Sequence, residues 1–133
     1  MSAWRKKAID CAPELREEFE KSDTNLYKVF AELMPILKAA HMSRDLERLE
    51  KIYDFAEWCF RQKDKNLWNA AGVSFYEHLG DTDETFSVFT TWIKKELYAD
   101  IRGLLYQRLD DLKLKKLDEY YKWKEAEVKR EIR

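Results

Sequence analysis

Glycine, proline, cysteine and histidine are scarce in this chain of 133 residues, and each shortage excludes something. All-β folds turn often, and turns draw heavily on glycine and proline. Three glycines and two prolines therefore favour helices joined by few connections. The two cysteines, Cys11 and Cys59, are far apart in sequence and sit beside apolar residues, where a thiol behaves as a small hydrophobe. A disulfide is not expected. His41, His78 and those cysteines are the soft ligands, and no two lie at zinc-finger spacing. The Glu-x-x-His pairs of a di-iron bundle are missing too, since Lys38 and Phe75 stand three residues before the histidines. No glycine-rich loop exists to cradle a phosphate. No metal or cofactor is expected. No apolar run approaches the roughly eighteen residues of a membrane span, and none follows Trp4-Arg5-Lys6-Lys7 as in a signal peptide. The expected location is cytoplasmic, with no membrane contact.

What is present is apolar and aromatic. Hydrophobic residues make up 45% and aromatics 14%, too many anchors for a disordered chain. The length suits one domain, here 1–133. Although 38% of the chain is charged, residues 66–79 contain one acid, Glu77, and no Lys or Arg. A helix that apolar is normally wrapped by others, so it marks the expected centre of the fold. Net charge is uneven. The body, 1–111, holds 17 bases and 21 acids, whereas 112–133 holds 8 bases and 5 acids and reads as a basic C-terminal helix.

Periodicity predicts an all-α bundle of five to six helices. Pro13 splits the first segment, suggesting an opening turn and then a helix to about Lys21. Ser22-Asp23-Thr24-Asn25 offers capping residues for a second helix carrying Leu26, Val29, Phe30, Leu33, Ile36 and Leu37. Pro35 predicts a kink or break at Met34. Ser43 is the expected cap of a third helix, with a stripe of Leu46, Leu49, Ile52, Tyr53, Ala56, Cys59 and Phe60. The central helix at 66–79 should end at Gly80 in a left-handed cap. A long fifth helix opens at Asp81-Thr82-Asp83-Glu84. Its apolar face shifts from Phe86, Phe89, Ile93 and Leu97 to Ile101, Leu104, Leu105, Leu109 and Leu112, with Asp100 in the first face, which predicts a bend or a change of partner near Tyr98–Gly103. Asp110-Asp111 can cap a last helix with Leu114, Leu117, Tyr121, Val128 and Ile132 along it.

Chemistry finds little support. Ser74 and His78 share a helical face beside Glu77, but without an oxyanion hole or an orienting third group they read as polar groups held in a core. Asp54 and Glu57 read as surface ion pairs with Lys51 and Arg61. The last helix mixes bases with Tyr120, Tyr121 and Trp123, yet its five acids and the overall pI near 6.2 do not fit a nucleic-acid partner. The aromatics say more. Trp58 projects away from its helix's apolar stripe, among Glu47, Lys51 and Asp54, so it is either covered by another part of the chain or an interface anchor. Trp123 also lies off its stripe, whereas Trp68 and Trp92 read as core.

Residues 26–109, especially Phe55-Ala56-Glu57-Trp58 and Asn69-Ala70-Ala71-Gly72-Val73-Ser74-Phe75-Tyr76-Glu77-His78-Leu79, resemble small uncharacterised bacterial helical proteins. Some of that kind are encoded beside toxin systems and look like immunity proteins. The resemblance implies a cytoplasmic protein that acts by binding rather than by chemistry, and the tail beyond residue 111 lies outside it.

The reading that follows is a non-enzymatic protein-binding module, an immunity protein that neutralises a cognate toxin domain, as in toxin–antitoxin pairs. Glu47, Asp54, Glu57, Trp58 and Trp123 are its candidate contacts. The alternative is a small-molecule or enzymatic pocket lined by Trp68, Ser74, Tyr76, Glu77 and His78. A third reading is a scaffold whose C-terminal helix pairs with itself as a homodimer.

Overall fold

A computed structural model describes residues 1–122 of the chain, with eight α-helices and no strand among them. The all-α class stands, while the helix number exceeds the expected five to six. The order is α1 (Ala3–Cys11), α2 (Arg16–Glu20), α3 (Leu26–Ser43), α4 (Leu46–Phe60), α5 (Lys65–Ser74), α6 (Asp83–Phe86), α7 (Lys95–Tyr106) and α8 (Asp111–Tyr120). Single 3₁₀ turns lie at Pro13–Leu15, Tyr76–His78 and Phe89–Trp92. Trp123, Val128 and Ile132 lie outside the described residues.

Side-chain caps begin most of the helices. Asn25 Oδ1 accepts from the Lys28 amide at 3.0 Å, and Asp110 Oδ1 from the Lys113 amide at 2.8 Å. These satisfy donors that a helix start leaves unpaired. Asp64 and Thr82 do the same for α5 and α6. The cap of α4 is Asp45, not Ser43. The reason is the way α3 ends. Arg44 takes a left-handed conformation at φ 56°, and the Asp45 amide reaches back to the Ala40 carbonyl at 2.9 Å. That closure absorbs Ser43 into α3 and leaves a two-residue link. At the other end of α2, the Arg5 guanidinium donates to the carbonyls of Phe19, Lys21 and Thr24, which closes the helix with a cation.

The core lies where α3, α4 and α5 meet, with α1 along α4 and α7 against α5 and the 76–78 turn. Val29, Phe30, Leu33 and Leu37 of α3 are fully buried, as are Ile52, Ala56 and Cys59 of α4. Each large apolar side chain so buried contributes about 1.5–3 kcal/mol. Phe55, absent from the expected stripe, is buried and stacks on Phe30 at 5.3 Å, whereas Leu46 of that stripe is exposed. The apolar segment does sit in the middle. It does so through small residues, because Ala70, Ala71 and Gly72 let neighbouring helices approach; a Cβ on Gly72 would stand 3.2 Å from Leu104. Trp68, expected in the core, is 38% exposed. Trp92 is half-buried and lies parallel to Tyr53 at 5.7 Å.

Expected helix outlines change in several places. Pro13 is preceded by nine residues of α1, not by a turn. Pro35 neither breaks nor ends α3. The 66–79 helix stops at Ser74, where Phe75 leaves helical geometry at φ −121°, ψ −72°. That change lets consecutive residues Phe75 and Tyr76 both enter the core, which a helix would splay by about 100°. Phe75 then meets Phe30, Tyr53 and Tyr76, all within 6 Å between ring centres. Gly80 has no left-handed conformation. It is small because a Cβ there would run into the Leu109 side chain. The long fifth helix is also broken earlier than expected. After α6 the chain turns through 87–94, and Ile93 is extended at ψ 109°. Ile101, Leu104 and Leu105 of the shifted face lie on a separate helix, α7, together with Leu97 of the first face, and α7 runs unbroken past Asp100 and Gly103, whereas Leu109 follows it and Leu112 is exposed on α8. Asp100 is exposed and pairs with Arg61 at 2.6 Å.

α8 is clamped to the body. Arg102 donates two hydrogen bonds to Asp118, at 2.9 and 2.8 Å, and Tyr98 a third at 2.5 Å. Tyr121 stacks on Tyr98 at 4.1 Å and donates to the Ile93 carbonyl at 2.6 Å. Among the described residues no helix is long and apolar enough to cross a membrane.

Candidate functional site

The seam between α1 and α4 brings together three of the residues expected at an interface. Glu47, Asp54 and Trp58 lie on one side of α4, because positions four and seven apart share a helical face. α1 packs beside that face and adds Lys7, Asp10 and Cys11. Two shallow hollows run along the seam. One, of about 320 Å³, is lined by Lys7, Asp10, Cys11, Lys51, Asp54, Phe55 and Trp58. The other, of about 220 Å³, shares Asp10, Cys11 and Lys51 and adds Pro13, Asp45, Glu47 and Arg48. Together they form one groove floored by Cys11 and Phe55.

Trp58 is half-buried, its body packed on the core. The Lys7 ammonium stands 5.0 Å from its ring centre, a cation–π geometry. α1 thus covers some of the ring, and the remainder faces the groove. The cations along the groove are already engaged. Arg48 makes a two-pronged bridge to Glu14, both contacts at 2.8 Å, and holds that carboxyl below its ordinary pKa. Lys51 sits 3.7 Å from Asp10 and 3.4 Å from Glu47, not against Asp54 as its spacing suggested. Asp54 is exposed and has no hydrogen bond or ion pair among the described residues. The carboxylates of Asp10, Glu14, Asp45, Glu47 and Asp54 outnumber the cations of Lys7, Arg48 and Lys51. The groove therefore carries a local acidic excess.

Glu57 is not part of it. It turns toward α7 and pairs with Arg61 at 3.6 Å and Lys94 at 3.2 Å. Trp123, also expected at the interface, lies outside the described residues. Lys7 and Asp10 went unnoticed because the sequence does not show which helix lies beside α4.

The thiols are quiet. Burial pushes Cys11 and Cys59 up to about 12, so neither is a ready nucleophile. Cys11 donates to the Lys51 carbonyl at 3.3 Å, and both cysteines are free.

The alternative pocket residues do not converge. The helix ends between Ser74 and His78, so their shared face is lost. His78 pairs instead with Asp81, Nδ1 to Oδ2 at 2.6 Å. Tyr76 is fully buried, and its hydroxyl has no partner among the described residues. Burial holds its pKa far above the usual range. Trp68 is on the surface, and Ser74 and Glu77 are half-buried.

No curated protein and no solved structure matches this chain. A family model described as a domain of unknown function, DUF7674, matches residues 5–113. That stretch holds nearly all of α1, all of α2 to α7 and the first turn of α8, including both walls of the groove. It leaves out the rest of α8, together with Asp118 and Tyr121, which clamp it. On the extent of that match, the chain belongs to the DUF7674 family.

Proposed function

We propose that this protein is a binding module that engages another protein through the α1–α4 groove, and that its partner is a bacterial toxin domain that it neutralises by covering it. One observation carries the reading: a half-buried Trp58 is set beside an exposed Asp54, unpaired among the described residues, in a groove of acidic excess. Tryptophans so placed are frequent anchors of interfaces. Desolvated carboxylates around such an anchor select a basic partner surface and speed its approach. The two thiols of the seam and core are shielded, and the Ser74–His78 pair has come apart, which also favours recognition over chemistry. The toxin assignment rests on the resemblance of residues 26–109.

The test uses toxins encoded beside this gene in its native host. The intact chain should form a stable complex with one of them and suppress its toxicity. Asp54→Lys, a surface change, should weaken that complex by at least about tenfold, and Trp58→Ala by more. Circular dichroism checks that each variant is folded. No complex with any neighbouring product, or equal binding by folded Asp54→Lys, overturns the proposal.

A further inference from the structure

Pro35 lies inside an unbroken α3. Proline has no N–H, so it cannot donate to the carbonyl four residues before it. The Ala31 carbonyl is thereby released from its place in the helical ladder. Ala31 and Pro35 both line a cleft of about 470 Å³, larger than either hollow of the groove. Met34 and Lys38 extend the α3 wall, and His78, Asp81, Thr82 and Thr85 form the opposite one.

The cleft has an apolar wall and a polar rim. Met34, Pro35 and Ala31 supply the apolar wall. Thr82 and Thr85 are tied to each other at 3.2 Å, where the cap of α6 fixes them. At the rim, the His78 ring is fixed by Asp81 through Nδ1. With Nδ1–H donating to the Asp81 carboxylate, the ring is held in one orientation and Nε2 is left as an acceptor. Nε2 has no partner among the described residues. The Asp81 carboxylate is shared with Arg108 at 3.0 Å, so its charge is offset locally. Lys38 is held only loosely, 3.9 Å from Glu84. The rim thus offers an acceptor ring nitrogen and a weakly paired ammonium, while the α3 wall offers apolar surface. Binding pockets are typically mostly apolar with a few directed polar groups.

We propose that this cleft binds a small organic carboxylate with an apolar branched or aromatic body. The carboxylate pairs with the Lys38 ammonium, the body rests on Met34 and Pro35, and the bare His78 Nε2 accepts from an N–H next to the carboxylate. N-acylated apolar amino acids have that chemistry. This site is separate from the α1–α4 groove and does not depend on it.

The test is an NMR titration of the isotope-labelled full chain with N-acetyl-leucine and N-acetyl-phenylalanine. Their carboxamides serve as neutral controls. The acids should shift amide signals of Ala31, Lys38, His78, Thr82 and Thr85 saturably. The carboxamides should bind at least about tenfold more weakly, because a charge-assisted contact is lost. Lys38→Met is a surface change that leaves the core intact, and it should weaken acid binding about tenfold. His78→Gln should do the same, with its spectrum reporting that the fold persists. Shifts absent at millimolar acid, equal binding of acid and carboxamide, or undiminished binding by Lys38→Met overturns the proposal.

Discussion

α3 and α4 differ from residues 75–94 in how they bury aromatic rings. The first pair are long regular helices, and Phe30 and Tyr53 enter the core on their helices' apolar stripes. The second region is a string of turns and one-turn helices, yet it brings Phe75, Tyr76 and Phe89 to complete burial and Trp92 to partial burial. Regularity and packing are thus separate properties here. The broken segment interrupts the helical hydrogen-bond ladder just after Phe75, whose own amide still donates to the Ala71 carbonyl, and again at Ile93, and it gains freedom to aim adjacent rings at the same core.

If the broken region is as well packed as the helical one, Phe75→Ala will be at least as harmful as Leu33→Ala. Removing a fully buried ring at the meeting point of three aromatics should cost about 3–5 kcal/mol, and the α3 leucine about 2–5 kcal/mol. Urea denaturation of both variants checks this. A cost below about 1 kcal/mol for Phe75→Ala would show that the 75–94 segment is loosely held.

The glycines sharpen the contrast. Gly80→Ala must push Leu109 aside and should destabilise by roughly 1–3 kcal/mol. Gly103 lies inside regular α7 with no atom within 4 Å of an added Cβ, so Gly103→Ala should stabilise by up to about 1 kcal/mol. Opposite shifts in melting temperature are the expected result.

The clamp on α8 adds a pH dependence. Burial disfavours the charge on Asp118, but hydrogen bonds from Arg102 and Tyr98 more than offset that, and its pKa is lowered from 3.8. A carboxyl with a depressed folded pKa contributes stability that is present above its unfolded value. That stability is lost as pH falls from there through the folded value. Asp118→Asn should therefore destabilise by roughly 1–2 kcal/mol at pH 7, and the difference should shrink steadily below about pH 4. Denaturation midpoints of both proteins across that range supply the check.

The smallest effect concerns Tyr76. Its buried hydroxyl is unpartnered among the described residues, so Tyr76→Phe should change stability by less than about 1 kcal/mol, toward greater stability. A loss above that would reveal a partner for the hydroxyl.

Local signals were legible where local chemistry decides. Asn25 and Asp110 cap helices as their positions suggest, and Leu49, Ile52, Ala56 and Cys59 form the expected stripe. The grouping of Glu47, Asp54 and Trp58 was also legible, because α4 is regular and its faces follow from spacing. The shared Ser74–His78 face was misleading, because it assumed a helix that the burial of Phe75 and Tyr76 interrupts. Pro35 was legible as a perturbation but not as the wall of a cleft. Packing of α3 on α4, α5 and α6 outweighs the one hydrogen bond the proline removes.

The residue pattern alone specified helices, several of their caps, the sparsely charged middle and the acidic body, because these depend on neighbours within a turn or two of chain. Which helix flanks Trp58, where the 66–79 segment breaks and which residues face one another across the clefts depended on contacts between segments distant in sequence. Those contacts are set by the joint burial of many side chains, a free energy that no single stretch of chain encodes.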